Sequence, residues 1–91
     1  MKNNNQIDNT SYYTLPSGKQ LEDFIYIKNL TFAAGSALKY LWRAGKKDGE
    51  SKEKDLKKAE HYICFLARKF CENEHDVRTV LNHLINEAKE Y

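Results

Sequence analysis

Four basic side chains recur at close to one-turn spacing in the segment LKYLWRAGKKDGE, which covers residues 38–50. Residues four apart share a helix face, so Lys39 and Arg43 lie one turn apart, and Lys46 or Lys47 extends the same line. A guanidinium offers a planar fork to phosphate oxygens, and an ammonium offers a compact charge. The spacing therefore predicts a phosphate-binding surface on one face of a helix.

Gly35 lies one turn before Lys39 on the same face, and a glycine lacks the side chain that would keep a ligand away from the backbone. Tyr40 or Trp42 could stack on a nucleotide base, but packing in a core or an interface is the favoured interpretation of both rings. A helix that carries Lys and Arg for contact with water would show the same spacing. A binding site and a solvated face therefore both remain open.

Acidic side chains follow the basic line. We expect Asp55, together with Glu53 or Asp48, to hold Mg²⁺ through oxygen ligands if the ligand is a nucleoside phosphate. An acidic residue in the first turn of a helix also stabilises the helix dipole, and this alternative explains Asp55 equally well.

The sequence lacks the phosphate loop of ordinary nucleotide kinases, which has the form GxxxxGK[ST] between a strand and a helix. Aligning that motif on Gly45 and Lys46 places Tyr40 at its first glycine and Lys47 at its Ser or Thr. A helical pattern also precedes the motif where a strand is needed. Phosphoryl transfer, if it occurs, would need a different arrangement of residues.

The composition describes one small domain with a local positive charge. The chain has 91 residues, of which 41% are hydrophobic, and its net charge is +2. Residues 39–58 hold eight Lys or Arg against four Asp or Glu, so this segment carries +4. Nucleic-acid-binding domains usually have a strongly basic balance, so nucleic acid is the least favoured partner at this stage.

The two cysteines predict a reducing environment. Cys64 and Cys71 are seven residues apart in a helical pattern, which puts their Cα atoms about 10.5 Å apart, too far for a disulfide. The chain also shows neither a secretory signal nor an apolar run long enough for a membrane helix. We therefore expect a cytoplasmic protein that does not enter the membrane.

Periodicity predicts an all-α fold, a small bundle of about four helices. Residues 1–15 form a flexible N-terminal arm, and residues 16–91 form one helical domain. Helices are expected at residues 19–28, from a cap at Thr31 to Gly45, over a long segment containing residues 56–70, and after a cap at Asp76. A core this small favours a two-fold dimer or larger homo-oligomer that buries the surplus aromatic residues, which are Tyr40, Trp42, Tyr62, Phe65 and Phe70.

The segment GSALKYLWRAGKKDGESKEKDLKKAEHYI closely resembles the hallmark segment of a bacteriophage protein family of unknown function that is described as nucleotide kinase-like. Ser36 and Tyr12 depart from the Asn and His that are usual in that family. The matching positions are Gly35, Lys39, Tyr40, Arg43, Ala44, Gly45, Lys46, Lys47, Asp55, Leu56, Lys57, Lys58, Ala59 and Tyr62. The predicted ligand-binding set is Gly35, Ser36, Lys39, Tyr40, Arg43, Lys46 and Lys47.

The resemblance implies a phage-type protein that binds a nucleotide or a related phosphorylated ligand, with Mg²⁺ and ATP as cofactors if it is a nucleotide kinase. The departures at Tyr12 and Ser36 and the missing phosphate loop favour an alternative, a non-enzymatic phage effector. Such an effector would sequester a nucleotide signal or inhibit a host defence or replication protein.

Overall fold

The computed structural model describes residues 12–44, 46 and 52–91. These residues form a bundle of four helices, which confirms the all-α prediction. The helices are α1 (Leu21–Ile27), α2 (Phe32–Arg43), α3 (Lys52–Lys69) and α4 (Glu74–Lys89). Within these residues, β pairing is limited to an isolated bridge between Thr14 and Gln20. The predicted two-fold dimer stays a prediction, since the structure holds a single chain.

Side-chain caps fix where the helices begin. Thr31 caps α2 as predicted, because its side chain accepts a hydrogen bond from the Ala34 backbone N–H. The prediction that Asp76 caps α4 was wrong. Asn73 is the cap, and its side chain accepts a bond from the Asp76 N–H at 2.8 Å. Asp76 is therefore the third helical residue, and the helix begins earlier than its apolar pattern.

The core joins α2 to each of the other helices. One buried cluster lies between α1, α2 and α4, and its members are Leu15, Leu21, Phe24, Leu38, Trp42 and Ala88. A second cluster lies between α2, α3 and α4, and its members are Ala37, Ala59, Ile63 and Leu81. Because α2 contributes to both clusters, its remaining face is the one available for a site.

A tight turn holds the end of the predicted arm against the helices. Leu15 is only 2% exposed, and its N–H donates to the Lys19 carbonyl at 2.7 Å. The Leu21 N–H donates to the Tyr13 carbonyl, also at 2.7 Å. Gly18 has φ of +94°, a conformation that glycine adopts without strain. This turn places Tyr13 beside α2, whereas residues 1–11 lie outside the described residues.

None of the described helices combines the length and the apolar character needed to cross a bilayer. The predicted cytoplasmic location stays a prediction.

Candidate functional site

A buried ion pair joins the end of α2 to the start of α3. Arg43 Nη2 lies 2.8 Å from Asp55 Oδ1, and Arg43 Nε donates to Asp55 Oδ2 at 3.4 Å. The Asp55 side chain is 3% exposed and that of Arg43 is 17% exposed. The hydrogen bond to Asp55 raises the pKa of Arg43. This two-point contact spans residues 44–51 and fixes the relative position of the two helices.

Tyr13 completes the surroundings of the Arg43 guanidinium. Arg43 Nη1 donates to the Tyr13 hydroxyl oxygen at 2.8 Å. Burial raises the pKa of Tyr13, although the nearby Arg43 charge acts in the opposite direction. The hydroxyl therefore stays protonated at neutral pH. Arg43 thus bonds to partners from the N-terminal turn and from α3, and much of its hydrogen-bonding capacity is used inside the protein.

Arg43 occupies the Asp55 carboxylate that was predicted to bind Mg²⁺. Both Asp55 carboxylate oxygens receive N–H groups of Arg43. A cation bound at Asp55 would have to displace the guanidinium or share the carboxylate with it. In this geometry the pair serves to hold α2 against α3.

Gly35 and Lys46, the first and last residues of the predicted binding line, contact other parts of the protein. A Cβ at Gly35 would lie 3.0 Å from Ile25 Cγ2, so Ile25 of α1 fills the gap that was expected to admit a ligand. Lys46 Nζ lies 4.7 Å from the centre of the Trp42 ring and donates to the Trp42 carbonyl at 3.0 Å. Burial lowers the pKa of Lys46, and Lys89 adds to this effect. Gly35 therefore packs against α1, and the exposed Lys46 bonds back to Trp42 of α2.

Two further predicted residues add little to a site. Ser36 is half-buried on α2. Lys47 lies outside the described residues.

The structure instead gathers cations around two tyrosine rings. Lys39 Nζ lies 5.3 Å from the Tyr13 ring centre, and Lys58 Nζ lies 5.4 Å from the Tyr40 ring centre. Arg43 Cζ lies near both rings, 5.9 Å from the centre of Tyr13 and 5.3 Å from that of Tyr40. We call Tyr13, Lys39, Tyr40, Arg43 and Lys58 the cation–tyrosine cluster.

The charge of this cluster is only partly balanced. Asp55 neutralises Arg43, whereas Lys39 and Lys58 are exposed and form no ion pair with any of the described residues. Two ammonium groups on different helices therefore face water beside half-buried aromatic rings. Such groups offer charge and a flat apolar surface to the same ligand.

Sequence reasoning placed Lys39, Tyr40 and Arg43 in the site but missed Tyr13 and Lys58. Tyr13 is thirty residues from Arg43 in the chain, and no periodic pattern links them. Lys58 falls in the segment of family resemblance, and its position one turn after Asp55 was the available signal.

A second group of side chains lies between α3 and α4. Cys64 Sγ donates to Glu74 Oε2 at 3.2 Å and lies 3.6 Å from Glu60 Oε2. These three ligand-type atoms lie within 4.8 Å of one another, and Arg78 pairs with Glu60. The hydrogen bond to Glu74 raises the pKa of Cys64 to about 11. The thiol is thus a hydrogen-bond donor and a poor nucleophile at neutral pH.

We expect Cys64 to react slowly with iodoacetamide at pH 8, because raising its pKa from 9.0 to about 11 removes about 99% of its thiolate. Replacing Glu74 with Gln should lower this pKa and speed the reaction. Mass spectrometry of quenched samples would follow each cysteine separately, with the exposed Cys71 as the internal reference. Alkylation of Cys64 at an unchanged rate in Glu74→Gln would contradict the assigned cause.

Comparison with known proteins identifies a family without an assigned activity. The model of the protein of unknown function family DUF3310 matches residues 4–64. No curated protein and no solved structure matches the chain. The matched region contains α1, α2, most of α3 and every residue of the cation–tyrosine cluster, whereas α4 lies outside it. The chain belongs to the DUF3310 family.

Proposed function

We propose that the protein binds a nucleotide or a related phosphorylated ligand at the cation–tyrosine cluster. The observation that carries this proposal is the exposure of Lys39 and Lys58, each over a tyrosine ring and neither paired with a described carboxylate. A phosphate dianion would balance these two charges. The rings of Tyr13 and Tyr40 would provide apolar contact for a base or sugar.

Arg43 acts as a positioning residue in this proposal. Its guanidinium bonds to Asp55 and Tyr13 and lies against Tyr40, so it fixes the rings over which the two lysines lie. Since Asp55 already balances its charge, its direct contribution to ligand affinity should be smaller than that of Lys39 or Lys58. This division of roles differs from the line of equivalent cations expected from the sequence.

The Arg43–Asp55 pair favours a protein that binds its ligand without converting it. Asp55 was the leading candidate for a Mg²⁺ ligand, and its two oxygens accept bonds from Arg43. A nucleotide kinase would use ATP and Mg²⁺, and the resemblance to a kinase-like phage family supports that activity. A non-enzymatic effector that sequesters a nucleotide signal, or that uses the same surface against a host protein, needs no metal ligand.

Isothermal titration against mono-, di-, tri- and cyclic nucleotides tests the binding proposal. We expect a saturable signal from at least one class, and a loss of about tenfold in affinity for each of Lys39→Ala and Lys58→Ala. Lys57→Ala is the matched control, because it removes the same charge from the adjacent position, which points elsewhere on α3. No signal across the panel, or equal losses in all three variants, would overturn the proposal.

Turnover is measured separately by incubating the protein with ATP, Mg²⁺ and a mixture of nucleoside monophosphates. Recovery of every nucleotide unchanged, together with binding in the titration, indicates sequestration. Formation of diphosphates that is lost in Lys39→Ala indicates a kinase.

A further inference from the structure

We propose that the protein binds single-stranded nucleic acid along a face that extends from the cation–tyrosine cluster. We call it the aromatic–basic face, and its residues are Phe32, Lys39, Tyr40, Lys58, His61, Tyr62, Phe65 and Lys69. The inference rests on the proposed nucleotide site, which would bind one unit of the strand.

Aromatic rings of α2 and α3 extend from the cluster. The Tyr40 and Tyr62 rings are stacked, with centres 6.2 Å apart and planes 9° apart. Phe32 and His61 both contact Tyr62 edge-on, with centres 5.9 Å and 5.1 Å from it. Phe65 follows His61 by one helical turn. Four rings are thus in contact across α2 and α3, which are Phe32, Tyr40, His61 and Tyr62.

The two phenylalanine rings of this face are exposed to solvent. Phe32 is 79% exposed and Phe65 is 43% exposed. Phe32 is the first residue of α2, eight positions before Tyr40, and its ring contacts Tyr62, so it lies outside the cluster. Exposed aromatic rings beside cations are the elements on which unpaired bases stack. Their stacking tolerates any base, because every base has a flat π-face.

The charges of α3 are segregated. Lys58, His61, Phe65 and Lys69 follow one another at spacings of three or four residues, and no acidic residue interrupts the stripe. Two acidic side chains of this helix are engaged away from the stripe, since Asp55 pairs with Arg43 and Glu60 pairs with Arg78 of α4. The net charge of +2 therefore understates the positive charge of this face.

The length of the face favours a strand over a single nucleotide. Lys58 and Lys69 are eleven residues apart on one helix, which is about 16 Å. A ligand held only at the cation–tyrosine cluster would leave Phe65 and Lys69 unused. A duplex would keep its bases stacked on one another and could not occupy the exposed rings. Single-stranded nucleic acid uses both the cations and the rings.

Fluorescence anisotropy with a labelled oligothymidylate of about ten nucleotides tests the inference. We expect the oligonucleotide to bind more tightly than thymidine monophosphate, and its affinity to fall as salt rises. Phe32→Ala and Phe65→Ala should each weaken oligonucleotide binding about tenfold without changing monophosphate binding. Phe70→Ala is the matched control. Phe70 is also exposed on the same chain but lines an apolar cavity of about 430 Å³ with Val77 and Val80 of α4.

The outcomes separate this inference from the proposed function. Equal affinity for the oligonucleotide and the monophosphate, equal affinity for duplex DNA, or an equal loss in Phe70→Ala would each overturn the inference and leave nucleotide binding standing. Oligonucleotide binding that depends on both phenylalanines, with monophosphate binding absent even at millimolar concentration, would support the face and overturn the mononucleotide site. Circular dichroism of each variant checks that the fold is retained.

Discussion

Replacing Arg43 with alanine should lower the free energy of unfolding by about 3–5 kcal/mol, because it leaves the Asp55 carboxylate buried without its guanidinium partner. The Asp55 side chain is almost fully buried, so water cannot take the place of the lost charge. The total stability of a domain is about 5–15 kcal/mol, so the change could unfold much of the protein. Urea denaturation followed by circular dichroism measures it.

The reverse substitution distinguishes a buried charge from a general loss of packing. Asp55→Ala leaves Arg43, whose side chain keeps more access to water and still donates to Tyr13, so it should cost less than Arg43→Ala. The double substitution Arg43→Met with Asp55→Leu replaces both charges with apolar groups of similar size and should recover most of the stability. Lys39→Ala is the control for loss of a cation from the same helix and should change stability by less than about 0.5 kcal/mol. A small effect of Arg43→Ala would mean that the Arg43–Asp55 pair contributes little to the stability of the fold.

This stability effect changes how a binding experiment must be read. The sequence places Lys39 and Arg43 one turn apart on the same helix face, as equivalent members of the predicted ligand-binding set. The structure separates them, because Lys39 is exposed while Arg43 holds together α2, α3 and the N-terminal turn. Loss of binding in Arg43→Ala would therefore report on the fold, and Lys39 and Lys58 are the positions that report on the ligand.

The sequence predicted the parts of the fold that depend on local patterns. The apolar periodicity of α2, α3 and α4 and the cap at Thr31 involve residues within a few positions of one another. One local prediction was wrong, the cap of α4 at Asp76. Asn73 and Asp76 can both cap a helix, and they are three positions apart. Asn73 is the cap because its side chain accepts a hydrogen bond from the backbone N–H of the third helical residue.

The site could be predicted only in part, because its decisive contacts are distant in the chain. The spacing of Lys39 and Arg43 is visible in the sequence. The two partners of Arg43 are distant, because Asp55 is twelve residues after it and Tyr13 is thirty residues before it. Gly35 illustrates the same limit. A glycine on a basic helix face fits a ligand gap, whereas a close approach of Ile25 from α1 explains it equally well, and only the fold distinguishes them.

Replacing Trp42 with alanine should also lower the free energy of unfolding by about 3–5 kcal/mol, because the ring is 5% exposed and belongs to the core between α1, α2 and α4. The sequence favoured packing over base stacking for this residue, and its burial supports packing. Phenylalanine at the same position should cost far less, about 1 kcal/mol or below. The indole N–H is buried and has no hydrogen-bond partner among the described residues, so its removal relieves an unsatisfied donor.

The comparison of Trp42→Phe with Trp42→Ala therefore measures two opposing contributions. Phenylalanine loses part of the buried aromatic area but removes the unpaired N–H, whereas alanine opens a cavity that the neighbouring Leu38 and Phe24 cannot fill. Trp42 is the sole tryptophan, so denaturation must be followed by circular dichroism. If Trp42→Phe costs as much as Trp42→Ala, the indole N–H is bonded to a group outside the described residues, and its donor stabilises the native state. If the phenylalanine variant retains nearly full stability, the gain from removing the unpaired N–H offsets the lost aromatic area.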